Sequence, residues 1–315
     1  MISMKTRLSP KRPGGFTLIE LMVAMAITTV IVTVLVSITG VALDTWQRGR
    51  AEIRASRQAK SMLDTMAKDF ESMVSRRGNS FEWLYSKVDT DLPGSTANTS
   101  SNAADLIFFT AATDRYLGQI GTDQDAGGDV SCVSYKLEYQ DPVKGTDDEN
   151  SSTFVFYRLL VDPDDTFKDL LGQTDLKAAF SSYDDKVKEV QNFVCENIYQ
   201  FTLTYQVEVT QAGSGNSGST VVPVRVTLGE DAAGTEMRLR GNGLETDASV
   251  GSLQPPVSLD ELKAGRLKGV EIGITVLSDA AVIRLNTQGL KDEVREKILA
   301  QESFQYSRTV ELPGM

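Results

Sequence analysis

The chain of 315 residues is long enough for one or two domains with a substantial hydrophobic core. Its net charge of −11 argues against binding the backbone of a nucleic acid, which requires clustered lysines and arginines. The absence of histidine excludes Ser-His-Asp and Cys-His catalysis and histidine-ligated zinc. Carboxylate-only chemistry stays open, but no nucleophile motif is recognisable, so we expect neither an enzyme nor a nucleic-acid-binding protein.

The N-terminal segment combines a short basic leader with a long apolar run. Residues 1–15 contain four basic residues and no acidic one, and residues 21–43 carry no charged side chain. As a helix, this run can cross the roughly 30 Å hydrocarbon core of a bilayer. Because basic residues beside a spanning segment tend to stay cytoplasmic, we expect a single-pass protein whose remaining residues face outward.

A lone carboxylate, Glu20, stands at the start of the apolar run. A secretory signal peptide would have a shorter apolar core that ends at a small-residue cleavage site, and residues 24–26 lie too early for that role. A plain signal-anchor helix is the alternative, but it gives no reason for the carboxylate. A carboxylate within a membrane segment is a functional hypothesis by default.

Residues 15–20 read Gly-Phe-Thr-Leu-Ile-Glu, and this segment resembles the N-terminal motif of the type IV pilin and pseudopilin superfamily. The resemblance implies that prepilin peptidase cleaves between Gly15 and Phe16 and that the new Phe16 amine is methylated. It also implies assembly with other pilin or pseudopilin subunits. The expected location is the inner (cytoplasmic) membrane, with the C-terminal domain in the periplasm or at the cell surface.

The position of Glu20 agrees with assembly through the apolar helices. A carboxylate among packed apolar helices is costly unless an opposite charge neutralises it. The freed Phe16 amine of a neighbouring subunit is the obvious partner. Such a pair can fix the axial register of subunits, as a buried polar residue does in a coiled coil.

The chain divides into four predicted segments: a leader at 1–15, a membrane-spanning and assembly helix at 16–43, its amphipathic continuation at 44–78, and an exported β-rich globular domain at 79–315. No proline occurs between residues 13 and 93, so one helix can extend to about Arg77 and end at Gly78. The spacing predicts one apolar stripe and assigns Asp69 to the polar surface. Members of the stripe are Ala59, Leu63, Met66, Phe70 and Met73.

Alternating and apolar runs predict the strands of the globular domain. They lie at 106–110, 130–139, 154–161, 197–209, 221–228, 267–277 and 304–312, with a charged helix at about 290–302. Pro223 predicts an edge strand or a bulge. Residues 81–85 are interpreted as an aromatic cap, and residues 229–256 as mostly loop. The predicted fold class is α+β, pilin-like, with a long N-terminal membrane-spanning helix packed on an antiparallel sheet.

The order of these elements resembles the J-type minor pseudopilins of type II secretion. The matching features are Arg57-Gln58, residues 66–69, the strand at 197–205, residues 269–272 and the ending at 306–313. The chain also resembles the Verru_Chthon cassette protein C family over nearly its whole length.

The globular domain offers two candidate structural features. Cys132 and Cys195 could form a disulfide in an oxidising compartment, or they could be two buried thiols that act as small hydrophobes. Asp123, Asp125 and Asp129 are weak calcium candidates, with solvated loops as the alternative. Otherwise we expect no cofactor and no metal site.

These patterns predict a structural subunit, a minor pseudopilin of a type II secretion or type IV pilus-like filament. The alternative is a pilin-anchored surface adhesin or substrate-binding module, with loops at 90–102 and 229–256 contacting a partner. The stretch in which both hypotheses agree is the leader and apolar helix.

Overall fold

The computed structural model describes residues 15, 17–89, 102–111, 129–145, 152–211, 219–229, 236–248, 253, 255–287 and 289–313. The chain divides into two compact units, Met1–Arg50 and Ala51–Met315. Helix α1 (Leu18–Glu71) begins in the first unit and ends in the second. Phe16 lies outside the described residues.

The described part of the second unit contains two antiparallel sheets. The larger has the order β5-β4-β3-β2-β1-β8-β9, and the smaller has the order β11-β10-β6-β7. The strands are β1 (Glu82–Asp89), β2 (Asn102–Thr110), β3 (Ser131–Gln140), β4 (Thr153–Leu160), β5 (Phe193–Glu196), β6 (Ile198–Gln211), β7 (Thr220–Leu228), β8 (Glu236–Arg240), β9 (Gly243–Thr246), β10 (Arg266–Leu277) and β11 (Ser303–Glu311).

Short helices connect the strands. They are α2 (Pro163–Asp165), α3 (Leu176–Phe180), α4 (Asp184–Val187), α5 (Leu259–Ala264), α6 (Asp279–Leu285) and α7 (Asp292–Glu302), with a π-helical turn at Thr166–Leu170 and 3₁₀ turns at Ser181–Tyr183 and Val190–Asn192. Side-chain caps set where some of them begin. The Ser278 hydroxyl accepts a hydrogen bond from the Ala281 amide, which satisfies a free amide at the start of α6.

The second part of α1 lies in the hydrophobic core. Four predicted members of the apolar stripe, Ala59, Leu63, Met66 and Phe70, are buried. The ring of Phe70 stacks on Phe108 of β2 with 4.5 Å between centroids. Burial of each large apolar side chain contributes about 1.5–3 kcal/mol to the stability of the fold. These contacts confirm the predicted packing of a helix on an antiparallel sheet.

Helix α1 ends at Glu71, six residues before the predicted end at Arg77. The backbone of the next residues bonds to β2 instead of continuing the helix. The Val74 amide donates to the Phe109 carbonyl, and the Ala111 amide donates to the Ser72 carbonyl, both at 2.9 Å. Gly78 adopts a φ of 86° in the turn that follows rather than at the end of the helix.

Asp69 corrects the predicted polar surface of the helix, because it is only 1% exposed. Its Oδ1 and Oδ2 atoms each accept a hydrogen bond of 2.8 Å from the guanidinium of Arg158 on β4. The hydroxyl of Tyr135 on β3 donates to Oδ2. Burial, together with the charge of Asp69, raises the pKa of Tyr135 well above its ordinary value.

Each of the seven predicted strands is found, and the structure adds elements that were not predicted. Residues 81–85 mainly form the start of β1 rather than an aromatic cap, and residues 229–256 contain β8 and β9 rather than loop alone. Strand β5 and helices α5 and α6 are also absent from the prediction. Strand β8 alternates buried Met237 and Leu239 with charged residues, and pairing with β1 supports this short strand. The predicted edge position of Pro223 is confirmed, because β7 is an edge strand.

Cys132 and Cys195 are free, buried thiols, so the disulfide option is wrong. Cys195 on β5 lies opposite Phe156 on β4, which in turn lies opposite Leu137 on β3. Cys132 is on the same strand as Leu137, five residues earlier, so two strand spacings and five residues separate the two cysteines. On a flat sheet this separation is roughly 19 Å, against the 4.4–6.8 Å between Cα atoms that a disulfide requires. Burial raises the pKa of both thiols.

We predict that Asp69→Ala lowers the free energy of unfolding by about 3–5 kcal/mol, because it removes the carboxylate that neutralises the buried Arg158 guanidinium. The matched control is Asp64→Ala, five residues earlier on α1, which removes a partly exposed pair with Arg308 and should cost about 1 kcal/mol or less. Urea denaturation of the full chain in detergent, followed by the fluorescence of buried Trp83 on a Trp46→Phe background, measures both. Equal losses would contradict the assignment.

We predict that the full chain, purified without reductant, contains two free thiols that react with a maleimide in urea and do not react in the folded state. Burial keeps both sulfurs away from the reagent and protonated. Intact mass before and after labelling gives the count. A chain that accepts no label in urea until a reductant is added would instead contain the disulfide.

Candidate functional site

The predicted processing site lies at the beginning of the described chain. Gly15 is exposed, and a Cβ atom built on it would meet no heavy atom within 4 Å. Packing against the described residues therefore does not require a glycine at this position. Phe16, the other residue of the predicted scissile bond, lies outside the described residues, so the processing prediction stays a prediction.

Thr17 and Glu20 form a capping box at the start of α1. The Glu20 amide donates to the Thr17 hydroxyl oxygen at 3.3 Å. In return, the Thr17 amide and hydroxyl donate to Glu20 Oε2 at 2.9 and 2.8 Å. This reciprocal arrangement satisfies amides that have no partner within the helix and fixes the beginning of α1 at Leu18.

The capping box leaves half of the Glu20 carboxylate available. Both hydrogen bonds from Thr17 go to Oε2, and Oε1 accepts none from any residue that the structure describes. The side chain is exposed. Helix capping and a contact with an external cation can therefore coexist on this one carboxylate.

The first part of α1 has an apolar surface with almost no free polar group. Its large side chains between Leu18 and Leu43 are 51–77% exposed. The hydroxyls of Thr28, Thr29, Thr33 and Thr39 each donate at 2.8 Å to the carbonyl four residues earlier. Such a surface is unfavourable in water, and its hydroxyls need no water.

Helix α1 is long and apolar enough to cross a membrane, and among the described residues it is the one helix that is. Beyond the apolar run, the Arg50 guanidinium lies 5.2 Å from the centre of the Trp46 ring. Tryptophan and arginine are typical of the interface between hydrocarbon and water, so this pair marks the end of the apolar segment.

The structure brings together Glu20 and Thr17. The sequence analysis identified Glu20 as a site residue but missed the role of Thr17. A threonine followed three residues later by glutamate is the capping-box signal, and it could have identified Thr17. Asp123 and Asp125 lie outside the described residues, and Asp129 is exposed. Within the described ranges, no group of three acidic or cysteine side chains could hold a metal ion, and the calcium prediction is untested.

Comparison with known proteins identifies the N-terminal segment. Residues 10–36 match the family model of the prokaryotic N-terminal methylation motif. The resemblance of this segment to the type IV pilin and pseudopilin superfamily is therefore confirmed. The match covers the leader and part of α1, so the likeness to J-type pseudopilins and to Verru_Chthon cassette protein C proteins stays a prediction.

Comparisons with curated proteins and with solved structures do not identify the rest of the chain. No curated protein matches the chain. A type IV-like pilin from Thermus thermophilus is similar in structure at 8% identity, with 82% of this chain and 97% of that chain covered. Its TM-score of 0.29 is too low to carry an argument.

We predict that Thr17→Val makes the Glu20 amide exchange its hydrogen about fivefold faster, since losing a capping side chain costs about 1 kcal/mol. Thr17→Ser keeps the hydroxyl and should exchange like the unchanged chain. Hydrogen exchange of the full chain in detergent micelles, followed by nuclear magnetic resonance, measures this rate. Equal exchange in all three chains would show that the capping box does not stabilise the beginning of α1.

Proposed function

We propose that this chain is a structural subunit of a filament, processed by prepilin peptidase and assembled through the apolar part of α1. The observation that carries the proposal is the Glu20 carboxylate, which Thr17 holds through Oε2 at the head of an exposed apolar helix, while Oε1 accepts no hydrogen bond from the described residues. The methylation motif at residues 10–36 supports it. In this function the chain performs no catalysis.

Cleavage after Gly15 would make Phe16 the first residue, directly before the capping box. Its new amine would be a cation at the same end of the helix as Glu20. The free Oε1 atom can accept a hydrogen bond from the Phe16 amine of a neighbouring subunit, while Oε2 continues to accept from Thr17. A charge-assisted bond of this kind is strong where water is excluded.

The apolar surface of α1 also supports assembly through this helix. Before assembly, its exposed side chains between Leu18 and Leu43 require a bilayer. After assembly, the same side chains can pack against equivalent helices of other subunits. We propose that the inner membrane holds the processed chain until it joins the filament, with the C-terminal domain in the periplasm or at the cell surface.

The second unit favours a minor subunit over a major one. It contains two sheets and reaches from residue 51 to the C-terminus, which is a large domain to stack repeatedly along a filament. We therefore propose a minor pseudopilin or pilin of a type II secretion or type IV pilus-like system. Of the two loops that the adhesin alternative requires, residues 90–101 of the loop at 90–102 lie outside the described residues, and the loop at 229–256 contains β8 and β9, so no observation favours that alternative.

The test compares Glu20→Ala with Thr17→Val in cells that make the filament. We expect Glu20→Ala to insert into the membrane normally but to fall about tenfold in the sheared filament fraction, a loss of about 1.4 kcal/mol per subunit. Thr17→Val removes the cap but keeps the carboxylate, and it should assemble far better than Glu20→Ala. Blotting of membrane and sheared fractions measures both.

Intact mass of the membrane-bound chain provides the processing control. Each variant should lack residues 1–15 in cells with active prepilin peptidase and retain them in cells without it. Normal incorporation of processed Glu20→Ala into filaments would refute the pairing. Retention of residues 1–15 in the presence of the active peptidase would refute the processing step.

A further inference from the structure

A cavity of about 190 Å³ lies in the second unit, between the segment that follows α1, the β8–β9 turn and the end of α5. Trp83 and Leu239 contribute apolar surface, and Gly241 and Gly265 contribute main chain. The cavity lies far along the sequence from the Glu20 site and takes no part in the proposed assembly. It has room for several non-hydrogen atoms of a solute.

The cavity is cationic in a chain whose net charge is −11. Arg76, Arg77, Arg240 and Lys263 line it, and no acidic side chain among the described residues does. One carboxylate nearby, Glu245, lies 3.4 Å from both Arg240 Nε and Lys263 Nζ. A single carboxylate cannot neutralise four cations, so a positive surplus remains at the cavity.

Two of these cations have unused hydrogen-bond donors. Arg76 makes no hydrogen bond or ion pair with any residue that the structure describes, and it is exposed. The Nε atom of Arg240 is buried and donates no hydrogen bond within the described chain, despite the proximity of Glu245. A buried guanidinium nitrogen without an acceptor is costly, and an anionic ligand would supply the acceptor.

The backbone of the cavity is built to hold the cations close together. Gly243 has a φ of 140°, and a Cβ atom there would overlap the carbonyl oxygen of Lys263. Glycine therefore lets the β8–β9 turn approach the end of α5. On the opposite side, Arg77 Nη2 donates to the Gly265 carbonyl at 3.3 Å, which holds the segment after α1 against the same helix end.

We infer that this cavity, named here the arginine pocket, binds a phosphoryl group. Arginine side chains match the oxygens of carboxylates and phosphates, but a surplus of several positive charges favours a dianion over a single carboxylate. The phosphoryl group can come from a soluble phosphate or from the phosphate-monoester headgroup of a lipid, each of which can carry two negative charges. Both sources share the chemistry that the four cations recognise.

The test follows the indole N–H resonances of the full chain in uncharged detergent. Trp83 lines the arginine pocket and Trp46 does not, so the two tryptophans provide a probe and an internal control. We expect inorganic phosphate to shift the Trp83 resonance to saturation without moving that of Trp46. Acetate should bind more weakly, and 0.5 M sodium chloride should weaken the binding of phosphate.

Matched variants locate the site. Arg76→Gln/Lys263→Gln removes two exposed cations and should weaken phosphate binding about tenfold or more. Lys68→Gln removes an exposed cation of α1 that does not line the pocket, and it should bind phosphate like the unchanged chain. The chemical-shift dispersion of the other resonances verifies that each variant is folded.

A second titration uses dihexanoyl phosphatidic acid, a lipid with a phosphate-monoester headgroup, below its micelle concentration. Saturation by inorganic phosphate identifies a soluble source, and saturation by the lipid alone identifies a headgroup source; both support a phosphoryl site. Three outcomes overturn it: no shift of Trp83 with either probe, equal shifts with acetate, or unchanged affinity in Arg76→Gln/Lys263→Gln. None of these measurements depends on processing or filament assembly.

Discussion

Asp69 brings a negative charge into the interior of the second unit, and the neighbouring strands supply the groups that satisfy it. Its carboxylate accepts from Tyr135 on β3 and Arg158 on β4. Its main-chain carbonyl accepts from the hydroxyl of Thr110 on β2 at 2.9 Å. Three consecutive strands are therefore bonded to one residue of α1. Because hydrogen bonds are directional, this arrangement sets both the height and the rotation of the last turns of α1 on the larger sheet.

The sequence predicted those helices and strands whose apolar pattern repeats within a few residues. The apolar stripe from Ala59 to Phe70 and the alternation in β6 each identify a face of one element, and the structure buries both. Asp69 was misplaced because its partner, Arg158, lies 89 residues away and is itself in a strand. Strands β8 and β9 were missed because they are short and charged, and pairing with β1 supports them rather than their own composition. Non-local contacts of this kind leave no periodic signal in a single sequence.

The sequence identified Glu20 as the important residue of the N-terminal site, but it did not show the hydrogen bonds between Glu20 and Thr17. The motif at residues 15–20 indicated that Glu20 matters, and the need to neutralise a carboxylate in an apolar setting indicated a cationic partner. The structure adds that the carboxylate already has a local role through Thr17. One side chain thus determines where the helix begins and retains an acceptor for a second contact. This division of the two oxygens explains why a glutamate suits the position: an alanine would remove both, and a shorter aspartate fits the capping box less well.

The threonines of the apolar segment affect how a bundle of these helices would be aligned. Their hydroxyl hydrogens are bonded within their own helix, so they donate no hydrogen bond to a neighbouring helix. In a bundle of such helices, the charged group at the helix head is a polar contact that can distinguish one axial register from another, as a buried polar residue does in a coiled coil. The register of a whole bundle would then depend on one side chain for each subunit.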